Sequence, residues 1–316
     1  MKSITIIIPV YNEEENVKST FAKLEEIRTQ YSGKYNVELL FADNNSTDDT
    51  FEILEDLAVE NEFLKIIKYS RNYGYQRSIF EAIKNCYSDA AVVIDCDLQD
   101  PPELISQFIE YWEKGYKNVY GLRNNREEKW VFLRKIFYKI INKLSEIELP
   151  QNAGDFRLID KAIIEKIKKS EQDNPYVRGI IASFGFDSKG INYSRRKRKL
   201  GKSNANFFNL LNLAVNSITQ FSTSPIRALS LFGFFVFFLI FLAGVILIIF
   251  RFIYGAGTEY FLPKGFTTTW LLILFSVGIN ALFFGIIGEY VASIHREILK
   301  LNKVYYDKKI NFKNDN

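Results

Sequence analysis

Residues 91–104 read AVVIDCDLQDPPEL. The apolar run ends at Ile94 and is followed by Asp95, Cys96 and Asp97, with Gln99, Asp100, Pro101 and Pro102 behind them. A short continuous apolar run predicts a strand buried on both faces, the mark of a parallel sheet covered by helices. Such sheets bind ligands where loops leave the carboxyl ends of strands, and the acids fall there. Carboxylates one residue apart suit Mg²⁺ or Mn²⁺, ions that keep some water and bridge one or two acids to phosphates. Acidic pairs are also common at exposed turns, so this pair takes its meaning from the strand before it. Cys96 points away from its neighbours if the strand persists, and reads as packing.

Outward from this stretch the chain alternates apolar runs with amphipathic ones. ITIIIPV, VELLFADN, FLKIIKYS, AAVVIDCD and NVYGLR read as strands. Between them, Asn16 to Gln30, TFEILEDLAVEN, GYQRSIFEAIKNCY and PPELISQFIEYWEKG read as helices. This order predicts an α/β fold with a mostly parallel, Rossmann-like sheet. The polar clusters YNEEEN, ADNNSTDD, SRNYGYQ and DCDLQDPP all fall at strand ends.

After residue 225 the composition changes. Leu229 to Phe250 is twenty-two residues without a charge. At about 1.5 Å per residue it crosses a hydrocarbon core about 30 Å thick. A second apolar run, Trp270 to Ala292, carries only Glu289. Spans at 229–251 and 269–293 are therefore expected, joined by an extracytoplasmic loop at 252–268. From 251 to 269 the only basic residues are Arg251 and Lys264, whereas RRKRKLGK precedes the spans and HREILKLNKVYYDKK follows them. The positive-inside rule puts the domain at 1–205, both termini and a basic tail at 294–316 in the cytoplasm. MKSITIIIPVYNEE is too short in its apolar part for a signal peptide. Two cysteines suggest no disulfide framework, and a sole histidine, His295, excludes a His-cluster metal site. The net charge of +4 is concentrated beside the spans and favours membrane lipids over nucleic acid. Residues 126–147 put Leu133, Ile136, Phe137, Ile140 and Leu144 at helical spacing beside Arg134 and three lysines. They read as an interfacial helix, or as an ordinary helix packed on the domain. Residues 206–228 form a similar juxtamembrane segment. Gly278, Gly285 and Gly288 permit close helix packing, as in a homo-oligomer.

IIIPVYNEEENV, ADNNSTDDT, RNYGYQ, DCDLQDPP, VYGLRNNR, GDFRLID and RKLGKSN occur in the order seen in family 2 glycosyltransferases. Over nearly its whole length the chain resembles the dolichyl- or polyprenyl-phosphate sugar transferases, particularly the bacterial bactoprenol branch with two C-terminal spans. The resemblance implies a GT-A domain that binds a nucleotide-diphosphate sugar through Mg²⁺ or Mn²⁺. UDP-glucose is the favoured donor type and GDP-mannose the other candidate. By position it implies that Pro9, Tyr11 and Glu13 line the nucleoside pocket and that Asp43 bonds the base. Asp95, with Cys96 beside it, would face the ribose and metal, while Asp97 and Gln99 hold the metal against the diphosphate. Arg123 and, less directly, Arg134 would hold the lipid phosphate. Arg198, Lys202 and Ser203 match a basic loop over the donor diphosphate, with Ser203 also assigned to the lipid phosphate. Asp155 matches a functional acid near the acceptor, read as positioning rather than proton abstraction because a phosphate monoester is already ionised at neutral pH. An ion pair with Arg157 is its plain structural reading.

The chain departs from the family pattern twice. Asp43-Asn44-Asn45-Ser46 stands where relatives carry D-D-G-S, and Asn204 stands where they carry Lys. Asn45 can adopt the left-handed conformation that Gly otherwise supplies. The function implied is inverting, metal-dependent transfer of a hexose to an undecaprenyl or dolichyl phosphate. The alternatives are a family 2 enzyme with another lipid or glycan acceptor, or a non-catalytic membrane scaffold. Trp112, Trp130 and Trp270 provide no Q-x-x-R-W signature of a processive synthase.

Overall fold

The structure, a computed structural model, describes residues 1–124, 153–172, 175–196, 266–299 and 303–312, with single positions between 232 and 249. It divides into two compact units, one of Met1–Asn142, Ile147–Leu211 and Lys300–Asn316, the other of Lys143–Glu146 and Asn212–Leu299.

The first unit is built on β1 (Lys2–Val10), α1 (Glu14–Tyr31), β2 (Tyr35–Asp43), α2 (Thr50–Glu60), β3 (Leu64–Tyr69), α3 (Tyr75–Lys84), β4 (Ala90–Val93) and α4 (Leu104–Glu113). It continues with β5 (Asn118–Arg123), β6 (Ala153–Asp160), α5 (Lys161–Lys168), α6 (Val177–Ser183) and β7 (Ser188–Tyr193). A last strand, β8 (Tyr306–Ile310), joins the same sheet, whose order is β7-β5-β6-β4-β1-β2-β3-β8. β1 pairs in parallel with β2 and β4, and β2 with β3. These central strands are buried on both faces because helices cover both. Ile6, Ile8, Leu39 and Phe41 join one core with Phe21 and Leu24 of α1, Leu54 of α2 and Phe108 of α4. On the opposite face Ile7, Leu40 and Ile67 are equally buried, as are Phe80 and Ile83 of α3 and Ile163 and Ile164 of α5. Truncating a fully buried leucine such as Leu24 costs about 2–5 kcal/mol in such a core.

The sheet is mixed, although most of its pairings are parallel, as expected, β5 and β7 included. β6 runs antiparallel to both β4 and β5, and β8 antiparallel to β3. The strands at 153–160, 188–193 and 306–310 were not legible as elements, because polar and charged residues interrupt them where the central parallel strands β1, β2 and β4 carry continuous apolar runs. β4 also differs from expectation, ending at Val93 rather than running through Asp97. Ile94 N–H still reaches the Ile7 carbonyl at 3.0 Å, but the Cys96 carbonyl is then taken by the Thr20 hydroxyl at 2.5 Å. Leu98 adopts a left-handed φ of 51°, which turns the chain. The acids therefore project from a loop.

The expected basic tail at 294–316 is also structured in part. Lys308 pairs with Glu55, and the Lys309 ammonium donates to Asn85 Oδ1 at 2.7 Å. The Tyr305 N–H donates to the Tyr73 hydroxyl at 3.2 Å. Charges expected on a membrane surface instead secure an edge strand, which also protects β3 from unwanted pairing.

The second unit contains α7 (Phe266–Leu299), a helix of 34 residues. Its stretch Phe275–Ala292 is long and apolar enough to cross a membrane, and none of that stretch is buried. Phe275, Val277 and Phe284 are more than half exposed, unlike the apolar face of a core helix. In the same unit Phe232, Phe235, Phe238, Leu242 and Ile249 are helical and exposed. The Phe232 ring lies 6.4 Å from that of Phe283. The interfacial helix expected at 126–147 and the segment at 206–228 lie outside the described residues, as do residues 252–265 of the loop expected at 252–268, whose last three residues already belong to α7.

Candidate active site

A cleft of about 470 Å³ opens where β1 and β4 end, lined among others by Pro9, Tyr11, Glu13, Asn44, Tyr75, Asp95 and Asp97. The loop after β1 is fixed by the turn after β2. Asn12, at φ 55°, donates its N–H to Ser46 Oγ at 3.0 Å and accepts the Thr47 N–H at 2.8 Å. The Glu13 N–H reaches Thr50 Oγ1 at 2.8 Å, and its carboxylate takes the Asn16 amide at 2.6 Å. Tyr11 is left with an exposed ring on the cleft wall.

Asp43, at the end of β2, is fully buried. Its Oδ1 accepts the Ser46 hydroxyl at 2.5 Å and the Ser46 N–H at 3.1 Å. Burial raises its pKa, and the Ser46 bonds offset this in part. Asn45 has the left-handed φ expected of it, 63°. Asn44 has a role of its own. Its amide donates to Asn72 Oδ1 at 2.9 Å and its carbonyl oxygen accepts the Tyr73 N–H at 2.9 Å. An ionised aspartate has no donor for the first of these bonds, so the amide clamps the loop that leads into α3.

The loop after β4 concentrates the acids. Asp95 accepts the Tyr75 hydroxyl at 2.5 Å. Burial, and next the neighbouring Asp100, push its pKa up to about 7. Asp97 Oδ1 accepts the Gln99 N–H at 3.1 Å. Asp100, 1% exposed, is the centre of a network, accepting the Tyr193 hydroxyl at 2.6 Å, Arg195 Nε at 3.0 Å and Arg123 Nη2 at 3.1 Å. The Arg195 guanidinium also lies 3.7 Å from Asp95 and 3.9 Å from Asp97. Cys96 borders the cleft yet is 3% exposed and belongs to the hydrophobic core, as its packing reading expects.

Asp155, on β6, is paired with Arg178 of α6 at 3.0 Å, and Gln76 of α3 donates to it at 3.2 Å. The same Gln76 accepts the Val177 N–H at 3.0 Å, tying α3 to α6. Arg157 does not make the expected pair with Asp155. It is buried and donates to the Gly154 carbonyl at 2.9 Å, and burial pulls its pKa down to about 10.

The structure thus brings Pro9, Tyr11, Glu13, Asp95, Cys96 and Asp97 to one cleft. Asp43 and Arg123 sit beneath the loops they brace, and Gln99 joins them through its backbone, its carbonyl accepting the Arg196 N–H at 2.9 Å. Arg134, Arg198, Lys202 and Ser203 lie outside the described residues. Sequence reasoning assigned no roles to Tyr75, Gln76, Asp100, Arg178, Tyr193 and Arg195. Tyr75 and Gln76 lie inside the quoted motif RNYGYQ, Asp100 inside DCDLQDPP, and Arg195 opens the basic run. Among the described residues no three His, Cys, Asp or Glu side chains are grouped to hold a metal alone. Two oxygen donors around which a cation already gathers still suit a hard divalent ion that draws its other ligands from water and phosphate.

The family model described as glycosyl transferase family 2 matches residues 5–168. The chain is 35% identical over 297 residues to the uncharacterized glycosyltransferase YkcC of Bacillus subtilis, covering 93% of this chain and 90% of that one. It is 34% identical over 298 residues to the bactoprenol glucosyl transferase of Shigella phage SfII, covering 93% and 94%. An uncharacterized glycosyltransferase of Synechocystis is 33% identical over 298 residues, covering 93% and 92%.

Proposed function

The chain belongs to glycosyl transferase family 2 and is a glycosyltransferase, and on that premise we propose that it passes a hexose from a nucleotide-diphosphate sugar to a polyprenyl phosphate at the cytoplasmic membrane face, inverting the anomeric carbon. The observation that carries this reading is the acid pair Asp95 and Asp97, facing a cleft with a cation drawn between them. The likeness to bactoprenol glucosyl transferases supports the lipid acceptor.

Asp95 and Asp97 would hold Mg²⁺ or Mn²⁺, with Gln99 alongside, and the bound ion would neutralise charge on the departing diphosphate. The protein's own residues do the rest. Tyr11 offers an exposed ring to the base, and Pro9 and Glu13 complete that wall. The lipid phosphate attacks the anomeric carbon as the sugar–diphosphate bond breaks, so it needs alignment more than deprotonation. Asp155 fits that task, because its carboxylate is already engaged by Arg178 and Gln76. It would orient Arg178 and Gln76 toward the acceptor. Arg123, engaged by Asp100, would brace the acidic loop and, together with Arg134, attract the lipid phosphate. Arg198, Lys202 and Ser203 would close over the diphosphate.

A topological argument supports the two-span arrangement. β1 and β8 share one sheet, so Lys2 and Tyr306 stand on the same side of any membrane the chain crosses. A single crossing by α7 between them requires a second one, and residues 229–251 are the apolar run available for it. The basic flanks assign the shared side to the cytoplasm.

The decisive assay incubates purified full-length protein with radiolabelled UDP-glucose or GDP-mannose, Mn²⁺ and a short polyprenyl phosphate. Label passing into the organic phase is expected. Label that stays water-soluble with every donor, or reaches only a glycan acceptor, would overturn the lipid-phosphate reading.

A further inference from the structure

We propose that Arg195 is a resident counter-ion of the acidic loop, occupying the cation position between Asp95 and Asp97 in the free enzyme and leaving it when metal arrives with the donor diphosphate. This rests on the reading above that Asp95 and Asp97 hold a divalent ion.

Arg195 lies two residues beyond β7 and places one guanidinium within reach of three carboxylates. Its two ends are held differently. Nε makes a hydrogen bond of 3.0 Å to Asp100, whereas Nη2 stands 3.7 Å from Asp95 and 3.9 Å from Asp97, beyond hydrogen-bond range. The outer end is held by charge alone and the side chain is 29% exposed, so it has somewhere to go. The backbone does not. The Arg196 N–H is bonded to the Gln99 carbonyl at 2.9 Å, and the Arg196 side chain pairs with Glu103 at 3.2 Å. The exchange is therefore a side-chain swing from a docked segment. Asp100 stays satisfied by Arg123 and Tyr193 when Arg195 leaves.

A divalent ion and a guanidinium cannot share the acid pair without strong repulsion at such short range. A diphosphate changes the balance, because it brings negative charge and suits the planar donor fork of arginine. Metal alone should bind weakly and metal with nucleoside diphosphate tightly. By linkage each then strengthens the other by the same factor. Arg195 is a positioning residue in this scheme, setting the order in which ligands load.

The test counts free Mn²⁺ by electron paramagnetic resonance in solutions of the detergent-solubilised full chain, with and without UDP or GDP. Arg195→Gln is expected to bind Mn²⁺ about 10-fold more tightly than wild type without nucleotide, and to lose a similar factor from the gain that nucleotide brings. Arg195→Lys, which keeps the charge, is expected to stay near wild type. If folded Arg195→Gln, checked by circular dichroism, binds Mn²⁺ alone no more tightly than wild type, the counter-ion role is wrong. If that happens while Asp97→Ala abolishes Mn²⁺ binding, only the Arg195 proposal falls. If wild type binds nucleotide but no Mn²⁺, the metal reading falls and takes this inference with it.

Discussion

Asp43 closes β2 and Asp95 follows β4, the two strands that flank β1, and burial raises the proton affinity of both. Their surroundings part from there. The turn after β2 gives Asp43 two donors from one residue, the hydroxyl and N–H of Ser46, with Lys68 as a further favourable charge. The loop after β4 surrounds Asp95 with Asp97 and Asp100, while α3 adds one neutral donor, Tyr75, and β6 a third acid, Asp155. A carboxylate whose donors are local becomes a brace. One whose neighbours are acids remains short of positive charge, which Arg195 meets in the free protein and a metal would meet in the working one.

The comparison breaks first at Asp97. Asp97→Ala is expected to lower sugar transfer about 1,000-fold while leaving the melting temperature within about 2 °C, as the site demands but the fold does not. Turnover near wild type would dismiss the acidic loop as the seat of chemistry. Asp100→Ala should act on stability as well. It strands Arg123, 10% exposed, without its counter-charge, and a loss of about 3 kcal/mol is expected in chemical unfolding. Ser46→Ala sharpens the other side of the contrast. Removing one of the two donors to buried Asp43 should cost about 1–2 kcal/mol with transfer reduced less than about tenfold. A larger loss of transfer than of stability would make the turn after β2 a ligand site.

The smallest effect is in pH. Asp95 has a pKa of about 7 in the metal-free fold against 3.8 as its ordinary value. A raised carboxylate favours the folded state at low pH, and that contribution is lost as pH climbs from about 4 to about 7. Asp95→Asn should therefore melt with wild type at pH 4 and above it at pH 8 in thermal scans without metal. Identical curves at both pH values would remove Asp95 from the strained set.

The pattern of the parallel half was legible because it is local. ITIIIPV and VELLFADN are apolar over lengths that only doubly covered strands need, and β1, β2 and β3 lie where they were expected. Asp95 and Asp97 were legible for the same reason, since a strand-end acid pair is a feature of six or seven consecutive residues. What failed was less local. AAVVIDCD gave no sign that the strand stops at Val93, because that depends on Thr20 of α1 taking the Cys96 carbonyl. The tail around Lys308 read as a basic run on the membrane surface, whereas β3 gives it an edge to pair with. Arg157 was the nearer partner for Asp155 in sequence, and Arg178 is the one that reaches it.

By itself the sequence determined the strand–helix alternation, the apolar runs and the acids, each being a matter of neighbouring residues and their hydrophobic period. The tertiary structure alone decided which charges meet, joining Arg195 to an acid 95 residues away, and it brought a strand that follows α7 in the sequence to the sheet edge. Electrostatic pairing depends on distance in space, and for residues so far apart along the chain only the packing of the sheet sets that distance.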